Sequence, residues 1–285
     1  MGSPRFSYPL GAIVNPVIHK VMQKFIELLK KATFSILFPH ESIGGLPYPK
    51  GTGFFVSEDG WFITAAHVVT KPDGSLEDFN DVWLMKEQTF DGSGGEMCQG
   101  IDMVYINHQT DIAILKVDFE KNREKDWLRK LTGFPHLSIS NRKLEDGEQV
   151  YSFGYPLSSF QMTHDTPDMV AGGFEFSPRL TSAIISSGIE KTTMLMSKDD
   201  LKTYVLDKAL NYGNSGGPII SSETGNVYAY CSRFQPVEIP QHHLRDQLGN
   251  PLKIMIPSLY GIVTRFDNKS TIEKMEELGI NIIKE

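Results

Sequence analysis

Between residues 11 and 31 the apolar positions recur at helical spacing, with Val14, Val17, Ile18, Met22, Phe25, Ile26 and Leu29 on one face, the period that lets a helix lay a stripe on a core. A short N-terminal helix is predicted there, with that stripe as its packing face. From Ala32 the texture changes to β-type runs broken by Gly and Pro: Phe34–Phe38, Gly53–Ser57, Trp61–Ala65, Val82–Met85, Met103–Ile106 and Ile112–Val117. Turn residues such as Asp59-Gly60 separate them, as short antiparallel strands require. Asp118–Lys130, a mixture of Lys and Glu, reads as a solvated linker or short helix. A second set of runs follows at Leu137–Ser140, Gln149–Phe153, Arg179–Ser186, Tyr204–Leu206, Pro218–Ile220, Val227–Cys231 and Lys253–Pro257. Ser270–Glu285 reads as a helix closing at Leu278-Gly279 with an extended tail, because glycine commonly closes helices. The pattern predicts an all-β fold of sandwich or barrel type, flanked by short N- and C-terminal helices.

Composition narrows the class. At 285 residues, 40% hydrophobic and 22% charged, the chain can bury a sizeable core and is neither disordered nor fibrous. A net charge of −7 gives no attraction to nucleic acid or to anionic membranes, so neither is an expected partner. No apolar run reaches 18 residues and no signal peptide is evident, so the sequence as given reads as soluble and cytoplasmic. Two cysteines, Cys98 and Cys231, without metal-ligand spacing, fit a reducing compartment and ordinary thiols. No cofactor or metal is implied; His242-His243 with Asp246 reads as a solvated loop.

The chemistry gathers on three stretches. Asn211–Pro218 sets one serine, Ser215, among Gly213, Gly216 and Gly217. Glycines allow a tight turn whose N–H groups converge on one point, as stabilising the oxyanion of acyl transfer requires. Taken alone, the stretch is equally a glycine-rich turn between strands. Trp61–Val69 runs a strand into small residues just before His67, and Thr110–Leu115 places Asp111 directly before an apolar strand. An imidazole can take a hydroxyl proton near neutral pH, and a buried carboxylate fixes its tautomer. The order His67, Asp111, Ser215, two in the first half and the nucleophile in the second, is that of chymotrypsin-like proteases.

Gly51–Val56, Thr64–His67, Thr110–Leu115, Gly213–Pro218 and Ile256–Ser258 resemble, in order, the signatures of trypsin-like serine proteases of the HtrA/Deg type. Arg142–Pro156 resembles that family's entry into its second barrel, and the likeness covers residues 32–265. It implies two six-stranded antiparallel β-barrels with the site between them. The implied units are a helical extension over 1–30, barrels over 31–137 and 138–265, and a C-terminal helix and tail over 266–285. Ser215 would be the nucleophile, His67 the general base, Asp111 the orienting carboxylate, and the N–H groups of Gly213 and Ser215 the oxyanion hole. Leu210, Tyr230 and Cys231 would approach the substrate pocket and Thr181–Ser186 would lie beside the cleft. The absence of Asp or Lys at the three pocket positions favours an uncharged substrate residue there.

Two departures qualify the resemblance. Digestive relatives have an aspartate before the serine to capture a new N-terminal amine; here it is Asn214, so the look-alike Ile43-Gly44-Gly45 has no acid to receive it. That favours control by loop ordering, with Glu190–Lys202 and Ser232–Lys253 as candidate loops, over zymogen cleavage. The PDZ domain usual in HtrA proteins has no room in the 20 residues after Arg265. Ser158–Pro178 stands out as a private insert, either a substrate or regulator loop or a disordered surface insert. The sequence thus predicts a serine endopeptidase acting on protein or peptide substrates through an acyl-enzyme. A catalytically silent protease fold serving as a scaffold or regulated binding partner stays open, as does the oligomeric state.

Overall fold

The computed structural model describes residues 16–285 apart from 41–43, 87–95, 157, 167–168, 176–177, 192–200, 234–235, 246–248, 250 and 258. The chain opens with helix α1 (Pro16–Ala32). Within it Met22, Phe25 and Ile26 are partly buried and Leu29 fully buried, in line with the apolar stripe; Val14 lies outside the described residues. Lys30 and Lys31 in its last turn complement the negative end of the helix dipole.

Seven antiparallel strands follow: β1 (Thr33–His40), β2 (Leu46–Phe55), β3 (Trp61–Ala65), β4 (Trp83–Lys86), β5 (Glu96–Cys98), β6 (Ile101–Asn107) and β7 (Ile112–Val117), in the spatial order β5-β4-β1-β2-β3-β7-β6. They make a half-barrel that does not close among the described residues. The remaining elements are β8 (Ile139–Ser140), β9 (Gln149–Gly154), β10 (Ser159–Thr166), β11 (Met169–Glu175), β12 (Arg179–Lys191), β13 (Leu201–Leu206), β14 (Pro218–Ser221), β15 (Val227–Arg233), β16 (Pro236–Arg245), β17 (Pro251–Pro257), β18 (Gly261–Arg265), α2 (Lys269–Glu277) and β19 (Ile282–Ile283). Of these, β14-β9-β12-β13-β18-β15 form a ring closed by pairing of β15 with β14, a six-stranded antiparallel barrel. Two barrel-like sheets are present, a closed six-stranded barrel and a seven-stranded half-barrel, where the family resemblance implied two six-stranded barrels.

Three local readings change. The C-terminal tail is strand β19, joined in parallel to β8, which itself pairs in parallel with β15. The insert over Ser158–Pro178 contains the hairpin β10-β11, and Ser232–Lys253 supplies most of a second hairpin, β16-β17, where loops were expected. The charged stretch Asp118–Lys130 is a chain of turns, but Leu128 within it is fully buried and Trp127 packs on Phe34. Those two apolar residues close the first core.

The strands between the two sheets explain why the motifs read as continuous apolar runs. In β7, Ala113, Leu115 and Val117 enter the interior of the first sheet, whereas Ile112 and Ile114 face the core shared with the second barrel. A strand covered on both faces has no polar alternation. The shared core also takes Leu29 of α1 and Phe54, Phe153, Ile220 and Phe266, so the faces that carry the functional loops are pressed together. In the first core the Phe134 ring stacks on Phe55 with centroids 4.2 Å apart and planes 6° from parallel. Phe134→Ala should lower unfolding free energy by about 3–5 kcal/mol, read as an earlier urea midpoint at unchanged slope.

Candidate active site

His67 lies in the short 3-10 turn Ala66–Val69, where β3 ends, and Asp111 lies directly before β7, the strand paired with β3. The sheet register brings the two chain ends together. Ala66 N–H donates to the Asp111 carbonyl at 3.0 Å and His67 N–H donates to Asp111 Oδ1 at 3.0 Å. Asp111 Oδ2 lies 2.8 Å from His67 Nδ1. The carboxylate side chain is 9% exposed and the imidazole 49% exposed. A carboxylate can only accept, so it places the proton on Nδ1 and leaves the Nε2 lone pair free.

Asp111 has φ +59°, the one non-glycine with positive φ among the described residues. That conformation costs on the order of 1–2 kcal/mol and persists only where neighbours enforce it. Here Asn107 Oδ1 accepts from the N–H groups of Gln109 and Thr110, and the Tyr230 hydroxyl donates to the Thr110 carbonyl at 2.7 Å.

Ser215 is presented by the loop between β13 and β14. Asn214 N–H donates to the Asn211 carbonyl, Gly217 N–H to the Asn214 carbonyl and Gly216 N–H to the Cys231 carbonyl, at 3.1, 2.8 and 2.6 Å. Gly213 and Gly216 have φ of +93° and +83°. A Cβ on Gly213 would fall 2.4 Å from the Tyr155 carbonyl oxygen, and one on Gly216 would fall 2.1 Å from that of Thr52. Both glycines are therefore required twice, for backbone conformation and for space. The carbonyls of Gly213, Asn214 and Ser215 are all hydrogen-bonded within the protein, whereas the N–H groups of Gly213 and Ser215 donate to no acceptor among the described residues.

His67, Asp111, Gly213 and Ser215 line one open cleft of about 1060 Å³, together with Tyr48, Lys50, Tyr155, Leu210 and Cys231. The predicted residues are thus brought together, although no hydrogen bond joins Ser215 Oγ to His67 among the described residues. Tyr230 is the exception. Successive residues of a strand face opposite ways, so with Cys231 at the cleft Tyr230 turns into the shared core, fully buried behind the acid. Thr181–Ser186 belongs to β12 and does not line the cleft. Asn214 is buried, with its Oδ1 against Gly154, while Gly44 and Gly45 form an exposed turn; Ile43 lies outside the described residues. Among the described residues no three His, Cys, Asp or Glu side chains converge to hold a metal; Asp246 lies outside them.

Burial, with the charge of Asp111 beside it, pushes the Cys231 thiol up to about 12, and burial likewise raises Cys98. Both cysteines are free and buried. Because the thiolate is the nucleophile, brief iodoacetamide treatment at pH 8 should leave the native mass unchanged, and denaturant should admit two adducts. Intact-mass spectrometry reads the difference.

Sequence reasoning missed one participant, Thr52 of β2, which is fully buried. Its N–H donates to the Ser215 carbonyl at 2.8 Å and its hydroxyl donates to the Gly213 carbonyl at 2.5 Å. The Gly51-Thr52-Gly53 sequence was the available signal: a Cβ on Gly51 would sit 2.9 Å from the Ser215 carbonyl oxygen, so this strand must run close against the loop that carries Ser215.

Comparison with known proteins bears on this geometry. The trypsin-like peptidase domain model matches residues 51–229, a span that contains His67, Asp111 and Ser215. Serine protease HTRA1 of Xenopus laevis is 29% identical over 222 residues, 77% of this chain and 37% of the relative. A probable periplasmic serine endoprotease, DegP-like, of Halomonas elongata is 30% identical over 186 residues, 65% of this chain and 29% of the relative. The chain therefore spans well under half the length of either. Among solved structures, the HtrA-type protease AlgW with decapeptide superposes with a TM-score of 0.53 over 90% of this chain and 67% of that one, at 15% identity. At that identity the likeness speaks for the fold.

Proposed function

We propose a function from one premise: the chain belongs to the trypsin-like peptidase family. It is a serine endopeptidase that hydrolyses peptide bonds through an acyl-enzyme. The observation that carries this reading is the His67–Asp111 pair opening onto the cleft that Ser215 and Gly213 also line. Ser215 Oγ attacks the scissile carbonyl while His67 Nε2 takes its proton and later delivers it to the leaving amine, and Asp111 stabilises the imidazolium. The N–H groups of Gly213 and Ser215 receive the oxyanion. The Ser215–His67 hydrogen bond forms as substrate fills the cleft, since such contacts are often long in unliganded enzymes.

The substrate is a protein or peptide, in keeping with the decapeptide named with the AlgW neighbour. Leu210 and Cys231 give the cleft wall an uncharged surface, because burial keeps the Cys231 thiol protonated. Peptides with a small or medium apolar residue before the cut should exceed those with Arg or Asp in kcat/KM by roughly ten- to a hundredfold. Asn214 offers no negative charge to a newly cut N-terminus, so activity is set by ordering of the nucleophile loop rather than by zymogen cleavage.

Incubation of the protein with unfolded casein and with a small ester separates the rival readings. Peptide products cut after uncharged residues support the endopeptidase. Ester turnover without casein products would move the activity to small molecules, and turnover of neither would favour a binding protein.

A further inference from the structure

Two of the hydroxyl groups that cross the interface between the sheets reach the loops of the site, in opposite directions. Thr52, on β2 of the first sheet, reaches the nucleophile loop of the second, and Tyr230, on β15 of the second, reaches the acid loop of the first. We infer that Thr52 and Tyr230 are reciprocal positioning residues, so that docking of the two sheets itself aligns Ser215 and the oxyanion donors with His67 and Asp111. The inference rests on the serine peptidase reading and adds residues to it.

Every polar atom of Thr52 is used. Its N–H holds the Ser215 carbonyl at 2.8 Å, its carbonyl accepts from the Thr64 hydroxyl at 2.7 Å, and its own hydroxyl accepts from Tyr155 N–H at 3.1 Å while donating to the Gly213 carbonyl at 2.5 Å. A hydroxyl has one proton to give, and the Tyr155 amide fixes which way it is given. The Gly213–Asn214 peptide is thereby held at both ends, its carbonyl by Thr52 and its N–H by Asn211. This anchors the Cα of Gly213, a glycine at φ +93°, from which the preceding Tyr212–Gly213 peptide carries its N–H toward the oxyanion.

Tyr230 serves the other loop. Thr110 is fully buried, so its carbonyl would lack water if the phenol were absent. The bond from Tyr230 fixes the peptide that enters Asp111, the residue with the strained φ. The Tyr230 ring is itself fixed against Phe266, with centroids 5.1 Å apart. Phenylalanine would fill the same volume, so the hydroxyl is the part of the side chain that the acid loop uses.

The test compares wild type with Thr52→Val, Thr52→Ala, Thr52→Ser and Tyr230→Phe. It measures kcat and KM on one peptide, affinity for a peptide boronate that forms a tetrahedral adduct on Ser215, and the low-field imidazole N–H proton resonance. Thr52→Val should lower kcat and boronate affinity together by about ten- to a hundredfold, the scale of a misplacement near 1 Å, with KM within about twofold, and Thr52→Ser should restore both. Tyr230→Phe should lower kcat and shift or broaden the imidazole resonance, which Thr52→Val leaves in place. Folded variants with wild-type kcat and resonance would overturn the inference while leaving the peptidase reading intact. Unfolding of Thr52→Val and Thr52→Ala with Thr52→Ser stable would also overturn it, since the hydroxyl would then serve the fold. A wild type that neither binds the boronate nor turns over peptide would defeat the underlying reading instead.

Discussion

Ser215→Ala is expected to lower kcat on a peptide substrate by about a million-fold, the scale seen when the nucleophile of a triad is removed. The substitution is clean here. Among the described residues Ser215 is tied into the fold only by its carbonyl, through Thr52 N–H, and alanine keeps that bond. The loop conformation depends on Gly213 and Gly216 rather than on the serine side chain. Thermal midpoint and peptide affinity should therefore stay near wild type, and the loss should appear in kcat. Residual activity from positioning and the oxyanion donors would leave turnover above the uncatalysed rate.

Asp111→Asn should lower kcat by about ten-thousand-fold, and the hydrogen bonds around Asp111 say why. Asp111 Oδ1 accepts from His67 N–H, and Oδ2 accepts from the imidazole Nδ1. An asparagine must keep its oxygen on the backbone N–H, which can only donate, and this turns its amide NH₂ toward Nδ1. The imidazole then has to accept at Nδ1 and carry its proton on Nε2, where the lone pair is needed. The variant should remain folded with Ser215 accessible, and steady-state kinetics beside a thermal melt would separate the tautomer defect from unfolding.

Much of this was legible from local pattern. The apolar runs of β3 and β7 announce strands buried on both faces, and the small residues before His67 announce the turn that follows β3. Serine among glycines is legible because a Cβ on Gly213 or Gly216 would strike a carbonyl oxygen. What stayed hidden depends on partners far apart in sequence. Tyr230 reads as a pocket residue until its strand is placed; its hydroxyl partner, Thr110, is 120 residues away. Thr52 reads as one more strand residue, and its bond to Gly213 spans 161 positions. The parallel attachment of β19 to β8 is likewise a matter of topology, since two isoleucines in a tail do not specify a partner strand. Asp111 in the left-handed region could not be read from residue type, because aspartate tolerates that conformation without requiring it.

The central claim is that Ser215 is a nucleophile activated by His67. Reaction of the folded protein with a fluorophosphonate probe, followed by peptide mapping, tests it most directly. A single adduct on Ser215 is expected, lost in Ser215→Ala and strongly slowed in Asp111→Asn. An adduct that survives Ser215→Ala, or a folded wild type that cuts casein yet never takes the probe at Ser215, would contradict it.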